Sequence, residues 1–439
     1  MTRGVATSEL AFTGRIDALS RDARQRLIER GVPEGDLTVR ERVAAIVRRV
    51  RAEGDAALRE LARELDGVTL DELEVPRAMW TRALDALDPA LRRAMARSAE
   101  NIASAHRAFL PVAQEVETEP GIVVGRRPDP LARVGVYAPG GRAAYPSSVL
   151  MGAVPARVAG VGEVVLCSPP QRGGSPAGVV LAAAALAEVD RVFALGGAGA
   201  VAAMAFGTAS VPRVDRIVGP GNAYVAEAKL QVSGRVAIDS PAGPSELLAI
   251  VDGTADPRLV ARELIAQAEH DPDACALAIA LGDECAAAVE RELAIAIEEA
   301  ARREIVVAAL ATRGGVLTAA DTESALALAN EIAAEHVLLV LEDTPAALAA
   351  LRGAGTVFVG ASSSVAFGDY MTGANHVLPT GGLARCYSGL STLDFVRWTT
   401  WQRVDRGAAA RLSGDVGVFA DAEGLPGHAA AARAWRTEA

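Results

Sequence analysis

Hydrophobic positions recur at helical spacing through the first quarter of the chain, then give way to short β-branched runs separated by Ala-rich stretches. Thr38-Val-Arg-Glu41 reads as a capping box, in which a hydroxyl and a carboxylate satisfy each other's end of a helix's first turn. A second helical segment ends near Asp66-Gly67. Asp88-Pro89 supplies a cap and a first-turn proline for a long helix that should run to about Leu110 and stop at Pro111. Residues 1 to about 35 lack strong periodicity and read as an arm that needs another surface to pack on. From Gly121 the pattern is strand-like at 121–125 and 133–137, the second run being followed by Ala138-Pro-Gly-Gly141.

Beyond that point strand-like runs at 163–167, 191–195, 215–218 and 236–239 alternate with Ala-rich helices, as in βαβ crossovers around a parallel sheet. The pattern resumes after Ser245 with runs at 247–251, 276–281, 337–341 and 356–359, which predicts a second sheet. The fold class is therefore α/β, with two Rossmann-like parallel-sheet domains, a helical N-terminal arm and a C-terminal helical tail. The expected division is an arm at 1–30, one domain from 31–136 with 245–388, a second at 137–244, and a tail at 389–439. Two such units would hold a ligand in the crevice between them, outside the carboxyl ends of their strands. The tail from about Ser391 is expected to be helical, carrying Trp398, Trp401 and Trp435 against a partner surface.

Length and composition narrow the class. At 439 residues there is chain for roughly three domains, or two large ones with extensions. A hydrophobic share of 51% with only 4% aromatics implies a core of Ala, Val and Leu. The formal charge of -11 argues against nucleic acid and anionic membrane surfaces as partners. Cys167, Cys275, Cys285 and Cys386 lack CxxC spacing and fit reduced, mostly buried residues of a cytoplasmic protein. The first residues show no basic-then-apolar run, so a signal peptide is not expected. The uncharged run at 192–212 is long enough to span a bilayer, but Gly196-Gly197 interrupts it within the strand and helix alternation, so it is not read as a membrane segment.

Candidate chemistry clusters around the histidines. There are five, and His270, His336, His376 and His428 fall in polar clusters carrying Asp, Glu or Gln, while His106 sits in an ordinary helix. The stretch 367–382 places Asp369 and His376 among Gly, Asn and Pro residues that exclude a regular helix and suit a tight, inward-aiming loop. In Gln267-Ala-Glu-His270 an oxygen and an imidazole lie one turn apart at the end of a helix begun by Asp256-Pro257, where they could grip a metal or merely cap the helix. Joined by Asp369 and another His, they make a sulfur-free N and O set that suits zinc or manganese. Glu335-His336 stands between a helix and the apolar run 337–340, where ionisable residues are expensive unless used, for instance as an acid and base pair. Gly197-Ala-Gly199-Ala-Val-Ala202 matches a dinucleotide fingerprint but lacks the acid about twenty residues on. Gly219-Pro-Gly-Asn222 is a second backbone turn that could line a cofactor cleft. Lys229, the only lysine, is the only residue able to form a Schiff base, although a solvated or salt-bridged role fits its amphipathic helix better.

Six motifs in this order, namely 219–229, 239–246, 267–270, 334–336, 368–379 and 423–428, resemble histidinol dehydrogenases across nearly the whole chain. The resemblance implies oxidation of L-histidinol to L-histidine by two NAD through a bound aldehyde, the last step of histidine biosynthesis. It implies one zinc per subunit on Gln267, His270, Asp369 and His428, the last from the other subunit of a homodimer. It makes His336 the base in both oxidations and Glu335 the residue that activates water in the second. Ser245, His376 and Glu423 match substrate-contacting positions, as do the metal-binding residues and His336. Tyr137 and Asn222 match NAD-contacting positions. Gly199 departs from the family, where Gln is common, so the NAD contact there should be weaker or rearranged rather than lost.

Other classes draw on the same residues. A zinc hydrolase would use the His, Asp and Glu set with no nucleotide. A pyridoxal phosphate enzyme would need Lys229. A non-catalytic zinc-stabilised dimer would have no use for Glu335 beside His336.

Overall fold

The computed structural model describes residues 10–30, 37–140 and 144–436. In chain order its strands begin with β1 (Phe12–Arg15), β2 (Gln114–Glu119) and β3 (Ile122–Pro130). A compact group follows: β4 (Arg133–Tyr137), β5 (Glu163–Ser168), β6 (Arg191–Ala194), β7 (Arg216–Val218) and β8 (Ala237–Ile238). Then come β9 (Glu246–Val251), β10 (Cys275–Leu281), β11 (Gly314–Ala319), β12 (Ala334–Val340) and β13 (Ala354–Val359), with β14 (Val396–Val404) near the end.

Two sheets are parallel throughout, as the continuous apolar runs predict. One has the order β6-β5-β4-β7-β8 and the other β1-β11-β10-β9-β12-β13. In each, apart from the edge strand β1, the chain lays down one strand, adds two on one side, and then returns to the other side. The reversal falls between β4 and β7 in the first sheet and between β9 and β12 in the second. Connections leave in opposite directions there, which opens a crevice.

Local signals hold where they are strong. Asp88 Oδ1 accepts the main-chain N–H groups of Ala90 and Leu91, and the helix Pro89–Ala108 follows. Gly67 adopts the left-handed region with φ 68° and ends the helical segment before it. Thr38 already lies inside the helix Leu37–Glu53, whose beginning borders residues outside those described, so the expected cap at Thr38 is not where that helix starts. The run at 192–212 divides into β6 and the helix Gly197–Phe206, and no helix among the described residues is long and apolar enough to cross a membrane.

Three expectations change. The arm does not wait for another surface: β1 pairs in parallel with β11, a strand the sequence pattern did not reveal, and Phe12 and Ile16 enter that sheet's core. Residues 1–9 of the arm lie outside the described residues. The helices between residues 37 and 108 do not join 245–388. Val43, Leu58, Trp80 and Ile102 share one core with Val134, Leu166 and Ile217 of the five-stranded sheet, and β4 belongs there too. Finally, the tail is not helical throughout. Trp398 and Trp401 lie on β14, which pairs antiparallel with β3, itself paired with β2. Trp401 faces Gly125, whose missing side chain leaves room for the indole: a Cβ there would lie 2.3 Å from the ring. Arg126 stacks its guanidinium 4.3 Å above Trp398. These contacts across the ribbon reward an extended chain rich in Thr and Trp. After β14, helices follow at Arg406–Ala422 and Pro426–Arg433.

Candidate active site

The reversal between β9 and β12 brings Glu246, Glu335 and His336 together in a buried cluster. They stand at the amino ends of these two strands, so the crevice expected outside the carboxyl ends is not where this sheet gathers its ionisable groups. Glu335 and His336 also lie within β12 rather than ahead of it. Neighbouring parallel strands make the contacts reciprocal. The Glu246 N–H donates to Glu335 Oε2 at 2.7 Å, and the Glu335 N–H donates to Glu246 Oε2 at 3.3 Å. His336 Nδ1 lies 2.9 Å from the Glu246 carbonyl oxygen. A carbonyl can only accept, so Nδ1 carries the proton and the neutral ring keeps its lone pair on Nε2, which points toward Asp369 Oδ1 at 3.9 Å.

The helix Val365–Tyr370 carries Asp369 in its last turn, contrary to the expectation that the whole stretch 367–382 is irregular. Gly368 makes this possible, because a Cβ there would lie 2.5 Å from the Phe358 ring. The irregular part follows, held by Asn101 Nδ2 donating to the Met371 carbonyl and Asn375 Nδ2 donating to that of Met151. It returns His376 so that Nδ1 lies 3.2 Å from the Asp369 carbonyl oxygen. Gln267 ends the helix Pro257–Ala268, which Asp256 caps as expected, and His270 lies just beyond, its N–H reaching the Gln267 carbonyl at 3.3 Å. Gln267 Nε2 is buried without a hydrogen-bond partner. Ser245 immediately precedes β9, and its carbonyl accepts the Cys275 N–H.

Burial sets the electrostatics. It pushes His336 and His376 down to about 4, and lowers His270 although that residue is exposed. All three imidazoles are therefore neutral near pH 7 and keep a lone pair. Burial, with the Glu263 charge, raises Asp369 to about 6. Glu335 is driven well above the usual carboxylate range by burial; the Glu246 N–H opposes this, and the Glu246 and Asp369 charges add to it. Neutral imidazoles, an amide lacking a partner and a carboxylate that gains by meeting a cation make a donor set that fits zinc. The orphaned Gln267 amide is the specific mark, since turning its oxygen to a metal would use a group otherwise left unsatisfied.

His428 and Glu423 are not joined to this cluster within one chain. His428 lies in the helix Pro426–Arg433 and Glu423 at the end of Arg406–Ala422; both are exposed, without hydrogen bond or ion pair to Gln267, His270 or Asp369. Among the described residues of the single chain, no three His, Cys, Asp or Glu side chains form a metal cage.

The other reversal, between β4 and β7, gathers Tyr137 and the turn at 219–222. The Tyr137 hydroxyl accepts the Gly197 N–H at 3.0 Å. Asn222 Oδ1 accepts the N–H groups of Tyr224 and Val225 and so caps the helix Ala223–Val232. Gly199 lies within Gly197–Phe206, where a Cβ would be 3.2 Å from Leu61 Cδ1. Lys229 is not solvated: its side chain is 2% exposed and pairs with Asp239.

Arg30 and Glu246 were not identified as site residues from the sequence. Glu246 opens the apolar run 247–251, so the reasoning applied to Glu335, a charge at the mouth of a buried strand, would have found it. Arg30 gives no local signal, yet its guanidinium grips Glu246 with Nε at 3.1 Å and Nη2 at 2.9 Å.

Comparisons with known proteins bear on the family and the fold. A sequence model of histidinol dehydrogenases matches residues 32–436. Histidinol dehydrogenase of Methanosarcina mazei is 43% identical over 421 residues, covering 96% of each chain, and that of Halobacterium salinarum is 47% identical over 413 residues, covering 94% of this chain and 96% of its own. The crystal structure of histidinol dehydrogenase from Elizabethkingia anophelis superimposes with a TM-score of 0.92 at 32% identity, covering 97% of this chain and 98% of the other. With this extent of match in both sequence and structure, the chain belongs to the histidinol dehydrogenase family, whose members are oxidoreductases.

Proposed function

We propose that this protein is a zinc-dependent histidinol dehydrogenase that oxidises L-histidinol to L-histidine with two NAD through a bound aldehyde, acting in the last step of histidine biosynthesis as a cytoplasmic homodimer. The observation that carries the reading is the His336 Nδ1 contact with the Glu246 carbonyl, which reserves Nε2 as a base. Gln267, His270 and Asp369 would hold the metal together with His428 of a second copy, a reading supported by the unsatisfied Gln267 amide. When bound, zinc templates the substrate's imidazole and amine, and NAD accepts the hydride.

His336 Nε2 takes the hydroxyl proton as the carbinol carbon loses hydride, leaving the aldehyde. Glu335, buried beside it, takes a proton from the water that adds to that aldehyde, and His336 returns its proton to the aldehyde oxygen, which completes the hydrate and frees Nε2 again. His336 then removes a hydroxyl proton from the hydrate as the second hydride leaves, and the acid results. Ser245 and His376 complete the substrate contacts together with Glu423, which like His428 would come from the second copy, and Tyr137, Gly199 and Asn222 border the nucleotide.

The test supplies limiting L-histidinol and excess NAD to the zinc-loaded protein and counts NADH at the endpoint. Two NADH per histidinol supports the coupled oxidation. One means that the aldehyde escapes and removes the role given to Glu335. None, with zinc bound, favours a hydrolase.

A further inference from the structure

The turn at 219–222 has very little freedom. Gly219 has φ 118°, and a Cβ on it would lie 2.1 Å from the Tyr137 carbonyl oxygen. A Cβ on Gly221 would lie 2.4 Å from Val225. The backbone of this turn is thus pressed against the end of β4 on one side and against its own following helix on the other. It stands outside the carboxyl ends of β4 and β7, at the reversal of the five-stranded sheet, where ligands bind in sheets of this kind.

Beneath it lies the buried pair Lys229 and Asp239, with side chains 2% and 5% exposed. The two residues grip the same glycine by its two main-chain polar groups. Lys229 Nζ donates to the Gly219 carbonyl at 3.1 Å, and the Gly219 N–H donates to Asp239 Oδ2 at 2.7 Å. Lys229 reaches back from the helix that Asn222 caps, so one helix supplies both the cap and the clamp. Asp239 follows β8 and begins the segment 239–245 that leads into Glu246. A buried ion pair seldom adds net stability over apolar side chains of similar size, so holding the turn is the better account of it.

We infer that Lys229 and Asp239 are positioning residues for nucleotide binding, holding the turn at 219–222 at the distance from Tyr137 that a dinucleotide requires. This rests on the proposed NAD site and assigns the chain's single lysine a part in cofactor affinity rather than in covalent chemistry.

The test compares NAD and L-histidinol kinetics, zinc content and direct NAD binding in zinc-loaded wild type, Lys229→Met, Asp239→Asn, the charge-neutral double variant Lys229→Met with Asp239→Asn, and Gly219→Ala. Where Lys229→Met leaves Asp239 as an unpaired buried charge and does not fold, the double variant carries the test. The expected result is a KM for NAD raised about tenfold or more in the double variant, with the KM for histidinol and the zinc content unchanged. Gly219→Ala, which displaces the turn while keeping the pair, should show the same split. A folded double variant with wild-type NAD binding overturns the inference, as does an equal rise in both KM values. Wild-type protein that binds no NAD overturns the nucleotide reading itself, whereas NAD binding that is indifferent to the pair overturns only its positioning role.

Discussion

His336 Nδ1 lies 2.9 Å from the main-chain carbonyl oxygen of Glu246, so the identity of the basic nitrogen is decided by the backbone of a neighbouring strand. A side-chain partner could be removed by mutation or change its own charge. A strand carbonyl does neither, so the ring would stay oriented as Nε2 gains and loses a proton in the proposed reaction.

Replacing His336 with Asn should therefore lower kcat by about two to four orders of magnitude, the usual worth of a positioned base, with little change in zinc content. Steady-state rates beside metal analysis check this, and a loss smaller than about tenfold would remove His336 as the base.

Glu335→Gln should separate the two halves of the reaction. Oxidation of supplied histidinaldehyde should slow far more than metal binding weakens, because the carboxylate is assigned to water rather than to zinc. Single-turnover measurements starting from the alcohol and from the aldehyde would show it. Zinc loss in this variant would instead make Glu335 a structural residue.

Arg30 and Glu246 are buried together, at 2% and 3% side-chain exposure, and Glu246 Oε1 also accepts the Gly381 N–H. Removing only the cation, as in Arg30→Met, strands a buried carboxylate and should destabilise the protein by about 3–5 kcal/mol. Adding Glu246→Gln should restore part of that loss in denaturant unfolding. Additive losses from the two changes would contradict the coupling.

Asp369 titrates near 6 in the metal-free protein, above its ordinary value of 3.8. The folded state therefore binds this proton more tightly than the unfolded chain does. The associated stability is fully present below about 3.8 and is lost as pH rises through about 6, amounting to about 3 kcal/mol at most. Metal-free Asp369→Asn should accordingly be more stable than metal-free wild type near pH 7. Zinc retention should run the opposite way, weakening as the pH is lowered toward protonation of the carboxylate. Thermal unfolding of both proteins, with and without zinc across this range, tests both signs.

The sequence by itself determined the alternation of strands and helices, the cap at Asp88, the helix end carrying Gln267 and His270, and the neighbouring pair Glu335-His336. Each rests on periodicity or side-chain chemistry within a few residues, where local geometry leaves few choices. Tertiary structure alone decided that Phe12–Arg15 becomes an edge strand, that Trp398 and Trp401 lie on a ribbon, and that Lys229 is buried rather than solvated. It also decided that Glu335 and His336 gather at the amino ends of their sheet. Arg30 and Glu246 are 216 residues apart in the chain, and nothing near either one names the other. A charge finds its partner, and an amphipathic strand its face, only when the whole fold has set which surfaces meet; that depends on the balance of burial and desolvation across the molecule rather than on any local pattern.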